Sequence, residues 1–159
     1  MNGLRSMENQ FKTLSFLIGR WKGKGEGFDS GKDTEIANTL DFSWDPSPSI
    51  ITGRFEAQRA GKLENNGIMI FVYDTNLAKI VRKQVYSYGF IMNEVGELKG
   101  DRFVFDCIGI DAEPDYWKGV RIRSFLQKHS DTEIRMGLEI AKKGEDFRLY
   151  GQNRFHKLR

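Results

Sequence analysis

Ten short runs of alternating apolar and polar residues, joined by connections too short for a crossover, constrain this 159-residue chain more than any single motif does. The runs fall at 20–28, 34–45, 49–59, 66–73, 78–86, 88–95, 101–109, 119–128, 132–141 and 146–158. Between them stand turn formers such as Asp45-Pro-Ser-Pro48, Asp74-Thr-Asn-Leu77, Gly96-Glu-Leu-Lys-Gly100 and His129-Ser-Asp131. Side chains alternate across a strand, so Ile36, Leu40, Phe42 and Trp44 share one face against Glu35, Thr39 and Asp41. Short connections make the strands antiparallel neighbours, and a flat meander of this many strands would expose two edges. The pattern therefore predicts an all-β fold, a closed antiparallel up-and-down β-barrel of about ten strands.

One segment precedes the strands. Residues 6–18 carry Phe11, Leu14, Phe16, Leu17 and Ile18 at helical spacing, and Ser6 can cap a short helix there. The chain then reads Leu14-Ser-Phe-Leu-Ile-Gly-Arg-Trp-Lys-Gly-Lys-Gly-Glu-Gly27, with glycine at every second position after the tryptophan. On a strand, Trp21, Gly23, Gly25 and Gly27 share a face and Lys22, Lys24 and Glu26 share the other. A face so bare marks either close approach by another backbone or by a ligand, or a tight barrel corner.

Composition sets the outer limits. Charged residues are 30% and aromatics 13% of the chain, which suits one folded domain over 1–159. The lone Cys107 excludes an intramolecular disulfide framework, and the N-terminal residues lack the apolar core of a signal peptide. No apolar stretch is long enough to cross a bilayer as a helix, so a soluble, cytoplasmic protein with no membrane span is expected. The net charge of +3 comes from 25 basic residues interleaved with 22 acidic ones, and no nucleic-acid partner is expected from it. The basic stretch at 118–128 lacks the aromatic and glycine pattern of an RNA-reading strand.

A short apolar helix, Gly19-Arg20-Trp21 opening the first strand, and the alternating glycines together resemble the entry of calycin barrels, the lipocalins and fatty-acid-binding proteins. Within that superfamily the segment 14–27 looks most like nitrobindin-like haem-binding barrels and the lipocalin-like domains related to them. The resemblance implies a structural role for Trp21, packed at the closed end against a basic side chain from the last strands. An arginine stacks well on an indole, which makes Arg154 the expected partner.

A barrel of this size can hold a small hydrophobic molecule. The apolar faces nominate Phe42, Trp44, Phe55, Met69, Phe71, Met136, Leu138 and Phe147 as its lining. The competing reading is a barrel filled by these same side chains and acting through its surface, for instance as a homodimer. Haem is the alternative cofactor, in a barrel acting on reactive nitrogen or oxygen species, and His156 is the counterpart of the late-strand axial histidine in the haem-binding group. Alternation, however, sets His156 on the outward parity with Arg148, Gln152 and Arg154, and Phe28-Asp29 stands where that group carries Tyr-Pro. Arg148-Leu-Tyr150 has the Arg-x-Tyr form that holds a fatty-acid carboxylate in fatty-acid-binding proteins, though parity again favours a surface pair. Arg121 and Arg123 read as outward for the same reason.

Enzymatic chemistry finds little footing. Cys107 shares an apolar face with Phe103 and Phe105, where a thiol is inert, and one cysteine with two isolated histidines makes no metal cluster. No residue is nominated as catalytic. The segment Asp111-Ala-Glu-Pro-Asp-Tyr-Trp-Lys118 interrupts the strand rhythm; its aromatics either gate the barrel mouth or, as the favoured reading, pack on the wall.

Overall fold

The structure, a computed structural model, describes residues 9, 11–26, 36–45 and 49–159. Ser6, Gly27 and Phe28-Asp29 lie outside the described residues. A helical turn at 11–14 tightens into a 3-10 turn, Ser15–Leu17, ahead of ten strands. These are β1 (Gly19–Glu26), β2 (Ile36–Trp44), β3 (Ile50–Arg59), β4 (Lys62–Asp74) and β5 (Lys79–Tyr86), followed by β6 (Ile91–Lys99), β7 (Arg102–Asp111), β8 (Val120–Lys128), β9 (Glu133–Lys142) and β10 (Arg148–Lys157). Each strand pairs antiparallel with the next, and β1 also pairs with β10, from Trp21 opposite Lys157 to Glu26 opposite Gln152. The meander closes, leaving no free edge, as the alternation requires.

Strand boundaries depart most from the sequence reading at β4 and at both ends of β6, which runs on to Lys99 through the turn expected at 96–100. β4 begins at Lys62 rather than at 66, because the β3–β4 hairpin turns on only two residues, Ala60 and Gly61, both with positive φ (49° and 74°). A two-residue hairpin turn demands that geometry, and alanine does not advertise it. β6 begins at Ile91 rather than at 88, since Tyr86, Gly89 and Phe90 form the turn, with Gly89 N–H donating to the Tyr86 carbonyl at 2.9 Å.

The barrel has two unlike ends. At one, the N-terminal turns plug the interior: Phe11, Leu14 and Leu17 join Trp21, Phe42, Phe71 and Phe105 in one buried apolar cluster. Phe71 meets Phe42 and Phe105 edge-on at centroid distances of 6.0 and 5.9 Å, the spacing at which aromatic rings attract. At the other end a smaller cluster of Phe90, Met92 and Ile122 lies against one wall. The glycines of β1 serve the packing: a Cβ on Gly23 would stand 2.3 Å from the Arg154 carbonyl and 2.6 Å from the Phe155 ring. The bare face is thus filled by side chains of the neighbouring strands.

The basic partner of Trp21 is not Arg154. Register sets Lys157 directly opposite the indole, with Nζ 5.2 Å from the ring centroid, while Arg154 sits opposite Lys24 and pairs with Glu133 at 3.3 Å. Trp21 is buried, and its indole N–H donates to the Leu17 carbonyl at 2.7 Å, tying the plug to the first strand.

Candidate functional site

Between the plugged end and the opposite mouth the interior holds a cavity of about 460 Å³. Its floor is made by alternation along β5, which sends Arg82, Gln84 and Tyr86 inward in succession. Arg82 lies 4.3 Å from the Phe105 centroid and 5.6 Å from that of Phe71, so its guanidinium caps the apolar end. A cation buried to 1% exposure needs compensation, and Glu94 of β6 supplies it through two parallel bonds, Nε to Oε2 at 2.7 Å and Nη2 to Oε1 at 2.9 Å. Ser124 of β8 accepts from Nη2 and donates to Glu94 Oε1 at 2.8 Å. Gln84 Nε2 donates to Glu94 Oε2 at 2.8 Å, and the Tyr86 hydroxyl donates to Gln84 Oε1 at 3.3 Å. Three strands are thereby joined by one satisfied polar network beneath the cavity.

Tyr86 extends the network into the wall. Its ring stacks on Phe90 at 4.4 Å and meets Phe55 edge-on at 5.4 Å. Burial, and after it the Glu94 carboxylate, pushes the Tyr86 phenol above its ordinary value of 10.0, so it remains a neutral donor. Burial likewise raises the Cys107 thiol, which keeps it protonated and unreactive.

The opposite wall is an amide band. Asn38 Nδ2 donates to Asn153 Oδ1 at 2.6 Å, across β1. That bridge passes where Gly25 has no side chain: a Cβ there would lie 2.7 Å from Asn153 Oδ1 and 3.3 Å from Asn38 Nδ2. Asn38 stands opposite Ala57, and Ala57 opposite Asn65, so Asn65 continues the row on the far side of β3. Asn65 Oδ1 is buried and has no hydrogen-bond partner. At the rim, Arg59 Nε pairs with Glu64 at 2.9 Å, and Tyr88, Tyr116 and Trp117 complete the lining.

Of the nominated lining residues, Phe55, Met69, Met136 and Leu138 face the cavity. Phe42 and Phe71 belong instead to the plugged end, which the helical turns fill, so they are core rather than lining. Trp44, 38% exposed, packs on Phe11 outside the cavity. Phe147 precedes β10 and lies beneath Arg123 and Arg121, at 4.1 and 4.9 Å, where Arg123 also pairs with Glu139. A register shift between Leu149 and Gly151 separates the anion pair: Tyr150 joins the cavity wall, meeting Trp117 at 5.9 Å, and Arg148 remains exposed opposite Ile140. Tyr116 and Trp117 both line the cavity and lie 5.4 Å apart, so the interrupting segment contributes wall as well as rim.

Neither histidine reaches the interior. His156 is exposed, opposite Lys22 and Glu133, and His129 is exposed just beyond β8. The assignment of His156 as an axial haem ligand fails on this geometry, and the residues present do not fit a histidine-ligated haem. No group of three or more metal-ligating side chains occurs among the described residues. Sequence reasoning missed Arg82, Glu94, Gln84, Asn38, Asn153 and Asn65; alternation alone could have flagged the first five, polar residues on inward parity, Asn38 with Leu40 and Phe42 and Asn153 with Phe155, while Asn65 lay outside the expected strand.

No protein-family model matches this chain, and neither does any curated protein. Solved structures do. Rv2717c from M. tuberculosis superposes with a TM-score of 0.71 at 18% identity, covering 94% of this chain and 97% of that one. An S-type phycobiliprotein lyase from Guillardia theta gives 0.58 at 11% identity, over 96% and 92% of the two chains. Lipid binding protein 8 of Caenorhabditis elegans gives 0.53 at 15% identity, over 91% and 97%. The fold is a calycin-like barrel.

Proposed function

We propose that the barrel binds one small hydrophobic or amphipathic molecule noncovalently, inside the cavity beneath the Tyr88–Tyr116 rim. The observation that carries this reading is a cavity of about 460 Å³ lined by apolar and aromatic side chains such as Phe55, Met69, Leu138 and Trp117 together with a polar floor and an amide band. That size is that of small-molecule pockets in general. Lipid binding protein 8 and a fatty acid transporter, which share the fold, lend support.

The test begins with native mass spectrometry of freshly purified protein against its denatured mass, where a retained molecule appears as the difference. Titration with the uncharged dye Nile red follows, and its emission is expected to rise and shift blue on binding. Leu138→Trp, which fills the cavity from β9, should abolish that change while leaving the far-ultraviolet spectrum intact. No retained mass together with unchanged dye emission would sink the reading.

A further inference from the structure

We infer that the cavity selects an uncharged amphipath that carries its own N–H or O–H donor beside a carbonyl or hydroxyl acceptor, and discriminates against the carboxylate of a fatty-acid anion. This inference rests on the binding reading above and narrows its ligand class. Its ground is that, among the described residues, every charge lining the cavity is already cancelled. Among the described residues the charged members of the lining are Arg59, Glu64 and Arg82. Arg59 and Glu64 pair with one another at 2.9 Å, and Arg82 is held bidentately by Glu94.

An anion taken out of water needs an uncompensated cation or several converging donors. Here Nε and Nη2 of Arg82 are spent on Glu94 and Ser124, and a carboxylate approaching the remaining Nη1 would share that guanidinium with the Glu94 carboxylate. Like charges across one cation oppose each other in a site of low dielectric. A cationic ligand fares no better, because both carboxylates are engaged.

What the wall offers instead is amide chemistry. Asn65 Oδ1 is buried and unpartnered, an acceptor that a bound donor would satisfy. The Asn38–Asn153 bridge uses one donor and one acceptor of its four functional atoms, leaving the Asn38 oxygen and the Asn153 nitrogen. Turning both amides over still leaves one donor and one acceptor. The aromatic rings of Tyr86 and Trp117, both in the lining, suit a flat apolar body.

The experiment is displacement of Nile red by a matched pair, 2-naphthamide and 2-naphthoate, at neutral pH. Naphthamide is expected to displace the dye at a concentration at least about tenfold lower, roughly the factor that one net hydrogen bond supplies. Asn65→Leu and Asn153→Leu should each weaken naphthamide and leave naphthoate unchanged. Glu94→Gln, which keeps the shape of the network and frees the Arg82 charge, should shift preference toward naphthoate. Equal or tighter naphthoate binding to the native protein overturns the inference while leaving the binding reading standing, and so does dye binding that neither compound reverses. Failure of Nile red itself to bind removes the reading beneath it. The native-protein comparison decides even if Glu94→Gln does not fold.

Discussion

Gly25 is small so that two amides on either side of its strand can touch. A side chain there would lie 2.7 Å from Asn153 Oδ1, so the residue that looks emptiest in the sequence is what lets the Asn38–Asn153 bridge form. Gly23 makes the same concession to Phe155, where backbone as well as ring would be struck. Tyr86 carries a consequence for pH. Its folded phenol titrates above the ordinary value of 10.0, burial being the larger cause and Glu94 the next, so the unfolded chain releases that proton first as pH rises. Stability from this group is whole below about pH 10 and falls as pH climbs toward the folded value. Tyr86→Phe is expected to flatten that alkaline loss in thermal melts, and to remove one late-ionising phenol from the ultraviolet titration of the five tyrosines. An unaltered alkaline slope in the variant would assign the loss elsewhere.

Among the elements, the β7–β8 seam is the weakest part of the wall. β7 pairs with β8 only from Arg102 opposite Gln127 to Asp106 opposite Arg123, and the rest of each strand is held from one side alone. Residues 107–111 are paired with β6, and 120–122 with β9. The 3-10 turn Asp115–Trp117 stands in the connection between the two unpaired halves, and both its aromatics line the cavity. Amides exchange according to the cost of local opening. Those of 107–111 and 120–122 that point into the seam should therefore exchange with deuterium orders of magnitude faster than those of 102–106. Uniform protection along β7 would show that another contact holds the seam shut. One of the three register shifts among the described residues, between Leu149 and Gly151, re-aims one side chain, which is a common use of a bulge beside a binding site.

For the whole molecule, closure through β1 and β10 is the organising fact. β10 supplies ladders to both β1 and β9, and its inward residues supply Phe155 to the core and Asn153 to the cavity wall. Natural domains are stable by only about 5–15 kcal/mol in total, so a chain ending at residue 147 should fail to fold cooperatively, losing its near-ultraviolet spectrum and its sigmoidal urea transition together. Retention of a sharp transition would mean that nine strands close without the tenth. All ten strands, the antiparallel order, the closure and the apolar segment before the first strand were legible in the sequence, because side-chain periodicity and turn chemistry are local and repeat along the chain. Four of the eight nominated lining residues face the cavity, and their parity was enough to find them. Parity could not tell lining from core: Phe42 and Phe71 point inward as Phe55 and Met69 do, and only the depth of the N-terminal plug separates them. Nor could it carry past the bulge that turns Tyr150 inward, or choose Lys157 over Arg154 for Trp21, since both depend on register. The sequence alone determined which way each strand faces, a property of neighbouring residues. The tertiary structure decided which inward groups meet: register sets Arg82 opposite Glu94 on the next strand, and the curvature of the closed barrel brings Ser124 of β8 to both across the interior.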